Sequence, residues 1–327
     1  MTYSIARFVL CLCVCALLAV PSPAAAQETF NVRFSWKLKG EYAPFFLAQE
    51  RGLFGKEGLS VRVGEGAGSE AALGALLQGQ EDVVIIPGVY ALNAISKGMP
   101  VKIVALYQPK APLSIISHPE KPIATPQDLE GKSLVGTVGD TTTDNLKTFC
   151  AMNKIDCTKI KLIMMNVQAR LPQFMSRQVD ALSTYWNIDV PQLEFTTKQK
   201  FIILDVAKYG LIQPGLSVVA TNDGIGRNPE RLRRFLRGLS AAFDATQKDA
   251  PAATQALRNA WTAGPPAQVV EAQVTLSNRT FVGTPDKPTG WVPQDVILAA
   301  LTLLKESGQV SDPKPLDMYF TNSLIGN

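Results

Sequence analysis

The sequence predicts an α/β protein of two lobes, each a mainly parallel sheet with flanking helices, facing each other across a central cleft. Three observations lead there. Apolar strand-like runs alternate with stretches of helical periodicity along the chain, the pattern of βαβ units. Runs such as Val83-Val84-Ile85-Ile86 are continuously apolar, which suits strands covered on both faces. The alternation falls into two sets, the second beginning near Ser117, and neither is long enough to stand as the whole chain.

Ahead of the first strand stands an export signal. Arg7 is the only charged residue before Glu28. An apolar run follows it, from Phe8 to Val20, then Pro21, Pro23 and Ala24-Ala25-Ala26. These are a charged n-region, a short h-region and an A-x-A site. A spanning helix needs roughly 20 apolar residues, and this run is shorter. The expectation is a signal peptide over 1–26, cleaved after Ala26, and a periplasmic product.

In the first set, Asn31 to Trp36 reads as a strand, and Tyr42, Phe45, Phe46 and Gln49 keep helical spacing up to Gly52. Leu59 to Val63 is the second strand. Ser69 is placed to cap a helix carrying Leu73, Leu76 and Leu77 on one face. Asp82 to Ile86 is a strand stopped by Pro87-Gly88, and Val101 to Tyr107 is another. In the second set, Thr125-Pro126 opens a short helix that Gly131 closes. Ser133 to Thr137 is a strand, and Asp140 or a following threonine caps the next helix. Ile160 to Met165, Val179 to Thr184 and Phe201 to Leu204 are strands, separated by helices over Leu171 to Gln178 and near Pro191. Leu216 to Thr221 is the return crossing. From Asn228 the chain is mostly helical, with Asn228 as cap and Pro229 in the first turn. Arg227, Arg231, Arg233, Arg234 and Arg237 form a basic face there, read as solvated, while Leu232, Phe235, Leu236 and Leu239 face the core.

Composition narrows the function. The 327 residues are 46% hydrophobic, enough for a real core. The formal charge of +4, or +3 without Arg7, is too mild to suggest nucleic acid. Of five cysteines, Cys11, Cys13 and Cys15 lie in the export signal. Cys150 and Cys157 remain. An oxidising compartment permits a disulfide between them, and two free buried thiols are the alternative. His118 is the only histidine, so no histidine-rich metal site can form. Neither H-E-x-x-H nor G-x-S-x-G occurs. No cofactor is expected.

In open α/β sheets, ligands bind beyond the carboxyl ends of the strands. Applied here, that rule selects Trp36 and Tyr42 after the first strand. It selects Gly66, Gly68 and Ser69 in the loop Gly64-Glu65-Gly66-Ala67-Gly68-Ser69, whose amides suit a polar or anionic edge. The spacing does not fit the dinucleotide fingerprint. Gly88 and Tyr90 follow the third strand. In the second set the rule selects Thr137, Thr141 and Thr142, then Arg170, then Tyr185, Trp186, Asn187 and Asp189. Two aromatic rings, an amide and a carboxylate within five residues fit a flat heterocycle carrying N–H donors. Asp189 as a helix cap is the plainer alternative.

The run Trp36…Gly40-Glu41-Tyr42-Ala43-Pro44-Phe45…Gly52-Leu53-Phe54…Glu57-Gly58-Leu59 resembles the opening of solute-binding proteins of ABC importers. Sulfonate, nitrate and taurine binders and thiamine-precursor pyrimidine binders belong to that group. Pro126-x-Asp128-Leu129-x-Gly131-Lys132 and Val179-Asp180-Ala181 fit it as well. The resemblance implies a type II periplasmic-binding fold that closes on its ligand, with one lobe over 27–115 and 214–327 and the other over 116–213. It implies a small-molecule ligand and a membrane permease as partners, and a monomer. Tyr185 to Asp189 resembles the W-N-x-E segment of pyrimidine binders, with Asp189 in place of the glutamate. The first expectation is a flat ligand between Trp36 and Trp186, oriented by Asp189. The second is an anion, a sulfonate, nitrate or carboxylate, met by Arg170, Lys37 or Lys39. A pyrimidine-synthase-like enzyme is the third.

Overall fold

A computed structural model describes residues 27–137 and 139–326; the expected export signal lies outside them. The first sheet contains β1 (Glu28–Phe34), β2 (Leu59–Gly64), β3 (Val83–Pro87), β4 (Val101–Leu106) and β10 (Leu216–Thr221), in the order β2-β1-β3-β10-β4. The second contains β5 (Leu113–Ser117), β6 (Ser133–Gly136), β7 (Lys161–Met164), β8 (Ala181–Tyr185) and β9 (Ile202–Asp205), in the order β7-β6-β8-β5-β9. β1 pairs in parallel with β2 and β3, and β6 with β7 and β8. β10 runs antiparallel to β3 and β4, and β5 to β8 and β9. In each sheet the antiparallel strand is the one entered by crossing from the other lobe. The first crossing ends by Leu113, so the limit expected at 115 falls inside β5.

The first sheet is covered on both faces. Helices α1 (Ala43–Glu50), α2 (Leu53–Lys56), α10 (Pro229–Lys248) and α11 (Ala250–Ala260) lie on one side, where Phe30, Phe34, Phe45, Phe235 and Phe243 share a core. Helices α3 (Ser69–Leu77), α4 (Gly88–Ser96) and α13 (Gln294–Glu306) lie on the other, with Ile86, Leu92, Ile103 and Leu304 between them. The second sheet likewise carries two cores. Its helices are α5 (Thr141–Asp144), α6 (Leu146–Met152), α7 (Val167–Met175) and α8 (Asp189–Thr197). Two more α-helices occur among the described residues, α9 (Asn222–Arg227) and α12 (Ala267–Asn278).

Local chemistry explains most boundaries. The Asn228 carboxamide accepts from Arg231 N and Pro229 stands at the first turn, so α10 starts where the sequence expects. Asp140 caps α5 through Thr142 N and Thr143 N. Two caps come out differently. Ser69 is the first residue of α3 rather than its cap, and makes no capping bond. Helix α7 begins at Val167, four residues earlier than the periodicity suggests, because Asn166 accepts from Ala169 N. Arg170 therefore sits on a helix, not in a loop. The basic face of α10 is not simply solvated. Arg231 reaches Glu28 at 2.7 Å and pairs with Asp82, and Arg234 reaches Glu28 at 2.5 Å. These arginines tie α10 to the ends of β1 and β3.

Cys150 and Cys157 are paired in the structure, with Cα atoms 5.5 Å apart. Among the described residues, no helix is long and apolar enough to cross a membrane. No group of three or more metal-ligating side chains forms among them.

Candidate functional site

The carboxyl ends of β1 and β3 face those of β6 and β8, and the lobes touch there. The Tyr90 hydroxyl, one turn into α4, donates to the Gly139 carbonyl of the opposite lobe. Gln309 Nε2 donates to Asn145 Oδ1 at 3.2 Å. Asn187 Nδ2 donates to Ser277 Oγ of α12 at 2.9 Å.

Between these contacts lies a cluster of charges and tyrosines. Lys39 and Glu41 form an ion pair at 2.5 Å, with side chains 19% and 5% exposed. The Lys39 ammonium lies 5.1 Å from the Tyr42 ring centre and 5.8 Å from that of Tyr185, so it bridges the two lobes. Burial opposes its charge, but Glu41 and the two tyrosines outweigh burial and hold the ammonium above its ordinary pKa. In the second lobe, Arg170 Nη1 lies 3.5 Å from Asp140 Oδ2 and donates to Ser183 O at 3.1 Å. Asp140 also accepts from Ser183 Oγ at 2.8 Å. Burial pushes the Asp140 carboxyl up, against Ser183, the Thr142 and Thr143 amides and Arg170. Asp189 is raised too, first by burial, with the Tyr185 amide, Arg170 and Lys39 pulling it back. Burial likewise raises the Tyr185 phenol.

The expected residues divide unevenly. Tyr185, Asp189, Arg170 and Tyr90 join this cluster. The Tyr42 ring is fully buried and stacks on Phe34 at 4.0 Å, so it closes the cleft floor from within the core. Asp189 is the first residue of α8 and not its cap, and its Oδ2 accepts from Tyr185 N at 2.8 Å. Thr141 and Thr142 are buried, and the Thr142 hydroxyl has no partner among the described residues. The Thr137 carbonyl accepts from Asp140 N at 3.0 Å, which closes the turn.

Three expectations change. The glycine amides are committed to the backbone: Gly66 N donates to Trp36 O at 3.2 Å, Gly68 N to Ser35 O at 2.8 Å and Gly88 N to Gly215 O at 2.7 Å. A Cβ at Gly66 would strike the Phe34 carbonyl oxygen, so glycine serves close packing there, not a ligand. Ser69, next to Gly68, only opens α3. Trp36 and Trp186 do not face each other. Trp36 is 47% exposed on its loop. Trp186 packs against the second lobe's core and lines a flank groove with Val190, Phe195 and Leu276. Tyrosines, not tryptophans, supply the rings at the cleft.

Sequence reasoning missed Glu41, Ser183 and Gln273 as parts of this site. Gln273 of α12 accepts from Gly40 N at 3.1 Å and donates to Ile188 O at 3.0 Å. It thus holds the β1 loop and the β8 loop together. Glu41 was visible two residues from Lys39. Nothing local marked Gln273, more than 80 residues from Ile188 in the chain.

The fold is shared with solved binding proteins. The periplasmic aliphatic sulphonate binding protein SsuA from Escherichia coli superposes with a TM-score of 0.71 at 18% identity, over 90% of this chain and 92% of that one. The alkanesulfonate-binding protein SsuA from Xanthomonas axonopodis pv. citri gives 0.66 at 16%, over 89% and 96%. By sequence, the 4-amino-5-hydroxymethyl-2-methylpyrimidine phosphate synthase of Uromyces fabae is 23% identical over 237 residues, 68% of each chain. Residues 39–253 match the family described as NMT1/THI5 like. The match covers more than half of the sequence, and the chain belongs to the NMT1/THI5-like family.

Proposed function

We propose that the protein is an exported, periplasmic solute-binding component of an ABC importer. It closes its lobes on a small, flat molecule rich in N–H donors and passes it to a membrane permease. The observation that carries the ligand class is the charge balance of the cleft. Each cation that an anionic ligand would need already has a carboxylate: Lys39 has Glu41, Arg170 has Asp140 and Lys37 has Glu65 at 3.2 Å. Asp189 adds a further acceptor beside Tyr185. A sulfonate entering here would displace an ion pair, whereas an amino-bearing heterocycle meets acceptors and tyrosine faces.

Closure follows from differential affinity. A ligand touching Asp189 and Tyr185 on one lobe and the Lys39–Glu41 pair on the other favours the closed arrangement that Tyr90 and Gln273 also hold. His118 supports binding without catalysis: its ring stacks on Phe174 at 4.3 Å and Nε2 donates to Phe174 O at 3.0 Å. The one histidine a synthase-like reading would use is packed in the second lobe's core.

Thermal-shift screening of aminopyrimidines and related heterocyclic amines against size-matched alkanesulfonates tests the assignment. Heterocycles should raise the melting temperature, with a gain of about 2.7 kcal/mol at a hundred times the dissociation constant. Asp189→Asn keeps an acceptor for Tyr185 N and should weaken heterocycle binding about tenfold, the loss of one charged hydrogen bond. Stabilisation by sulfonates alone, with Asp189→Asn binding as wild type, would refute it.

A further inference from the structure

Where the lobes meet on their flank, the structure carries a second concavity of about 550 Å³. Its walls come from different lobes. Trp186, Phe195 and Ile203 stand on one side, and Ala272 and Leu276 of α12 on the other. Ile203 is 41% exposed, a large apolar side chain left open in this wall.

The rim is positively charged. Lys200 pairs with Glu194. Lys198 ends α8 in the left-handed conformation, at φ 56°, with its ammonium 3.9 Å from the Phe195 ring centre. No carboxylate pairs with Lys198 among the described residues. One carboxylate therefore stands against two ammonium groups, beside an apolar wall.

The same two helices hold the cleft. The inner side of α12 carries Gln273, which bridges Gly40 N and Ile188 O, and Ser277, which receives Asn187. The outer side carries Ala272 and Leu276, which line the groove. Trp186 lies one residue from Tyr185 and faces the groove, not the cleft. A molecule seated between α8 and α12 would press on the contacts that fix Tyr185 to Asp189 against the first lobe.

We propose that this groove is a second ligand site, taking an amphipathic monoanion: an apolar chain or ring with one carboxylate, coupled to closure of the lobes. The apolar body covers Trp186 and Leu276, and the carboxylate meets Lys198. Because the groove exists only while α8 and α12 are apposed, its occupancy and that of the cleft favour each other, and the coupling is reciprocal. The site does not depend on which molecule fills the cleft.

The chain from Gln27 onward is titrated with decanoate and with decylammonium, below their micelle concentrations, following tryptophan fluorescence. Decanoate should give a saturable change that Trp186→Phe removes, while decylammonium gives none. Lys198→Glu should weaken decanoate about tenfold, and Ala272→Phe, which fills the groove, should abolish its binding. Gln273→Ala touches no groove wall yet loosens the clamp, and should weaken decanoate about fivefold. Circular dichroism confirms that each variant is folded. Equal responses to both amphiphiles, or wild-type decanoate affinity in Lys198→Glu and Ala272→Phe, overturn the site. Wild-type affinity in Gln273→Ala overturns the coupling.

Discussion

Lys39 is the residue around which the cleft is arranged. Its ammonium sits between tyrosines of opposite lobes and against Glu41, whose side chain is 5% exposed. Removing one member of a buried pair strands the other charge, at a cost of about 3–5 kcal/mol. Lys39→Met should therefore destabilise the protein by about that amount in urea denaturation. The double variant Lys39→Met/Glu41→Gln should recover most of the loss, because no unpaired charge remains. A double variant no more stable than the single one would show that the pair does not carry the effect. Lys39 and Arg170 were legible as cations, but their partners were not. Asp140 reads locally as a cap, and only the fold sets Arg170 Nη1 3.5 Å from it.

At the scale of elements, side-chain capping fixes some helix starts and not others. Asn228 caps α10 with a side-chain bond, whereas Ser69 makes none at α3. Asn228→Ala should cost about 1 kcal/mol, and Ser69→Ala should stay within about 0.5 kcal/mol, both by chemical denaturation. Equal losses would contradict these boundaries. The β8–α8 turn follows the same logic in reverse. Asp189 looks like a cap in the sequence, but it points back to Tyr185 N, which puts a carboxylate at the cleft. Helix α12 lies in the stretch read from sequence only as mostly helical, with no local sign of its task. Two of its hydrogen-bonding side chains, Gln273 and Ser277, act on loops that the chain leaves far behind.

For the whole molecule, the buried carboxylates set a pH dependence. Burial raises Asp140 above its ordinary value of 3.8. Between that value and the raised one, the folded state binds more protons than the unfolded state, so stability falls as pH rises through the interval. The contribution is complete below 3.8 and is lost above the raised pKa. Wild type should therefore lose stability relative to Asp140→Asn on going from acid towards neutral pH, as urea titrations at a series of pH values would show. A difference that does not vary with pH would mean Asp140 is not desolvated. The sequence by itself determined the two α/β sets, most strand positions and the strand-end loops that become the cleft, because hydrophobic periodicity, caps and turn residues act over a few neighbours. Tertiary structure decided which of those loops meet, that tyrosines rather than tryptophans line the gap, and that every cation there is already paired. Those outcomes depend on side chains from both lobes and from α12 arriving at one place. Only the packing of the sheets brings them together.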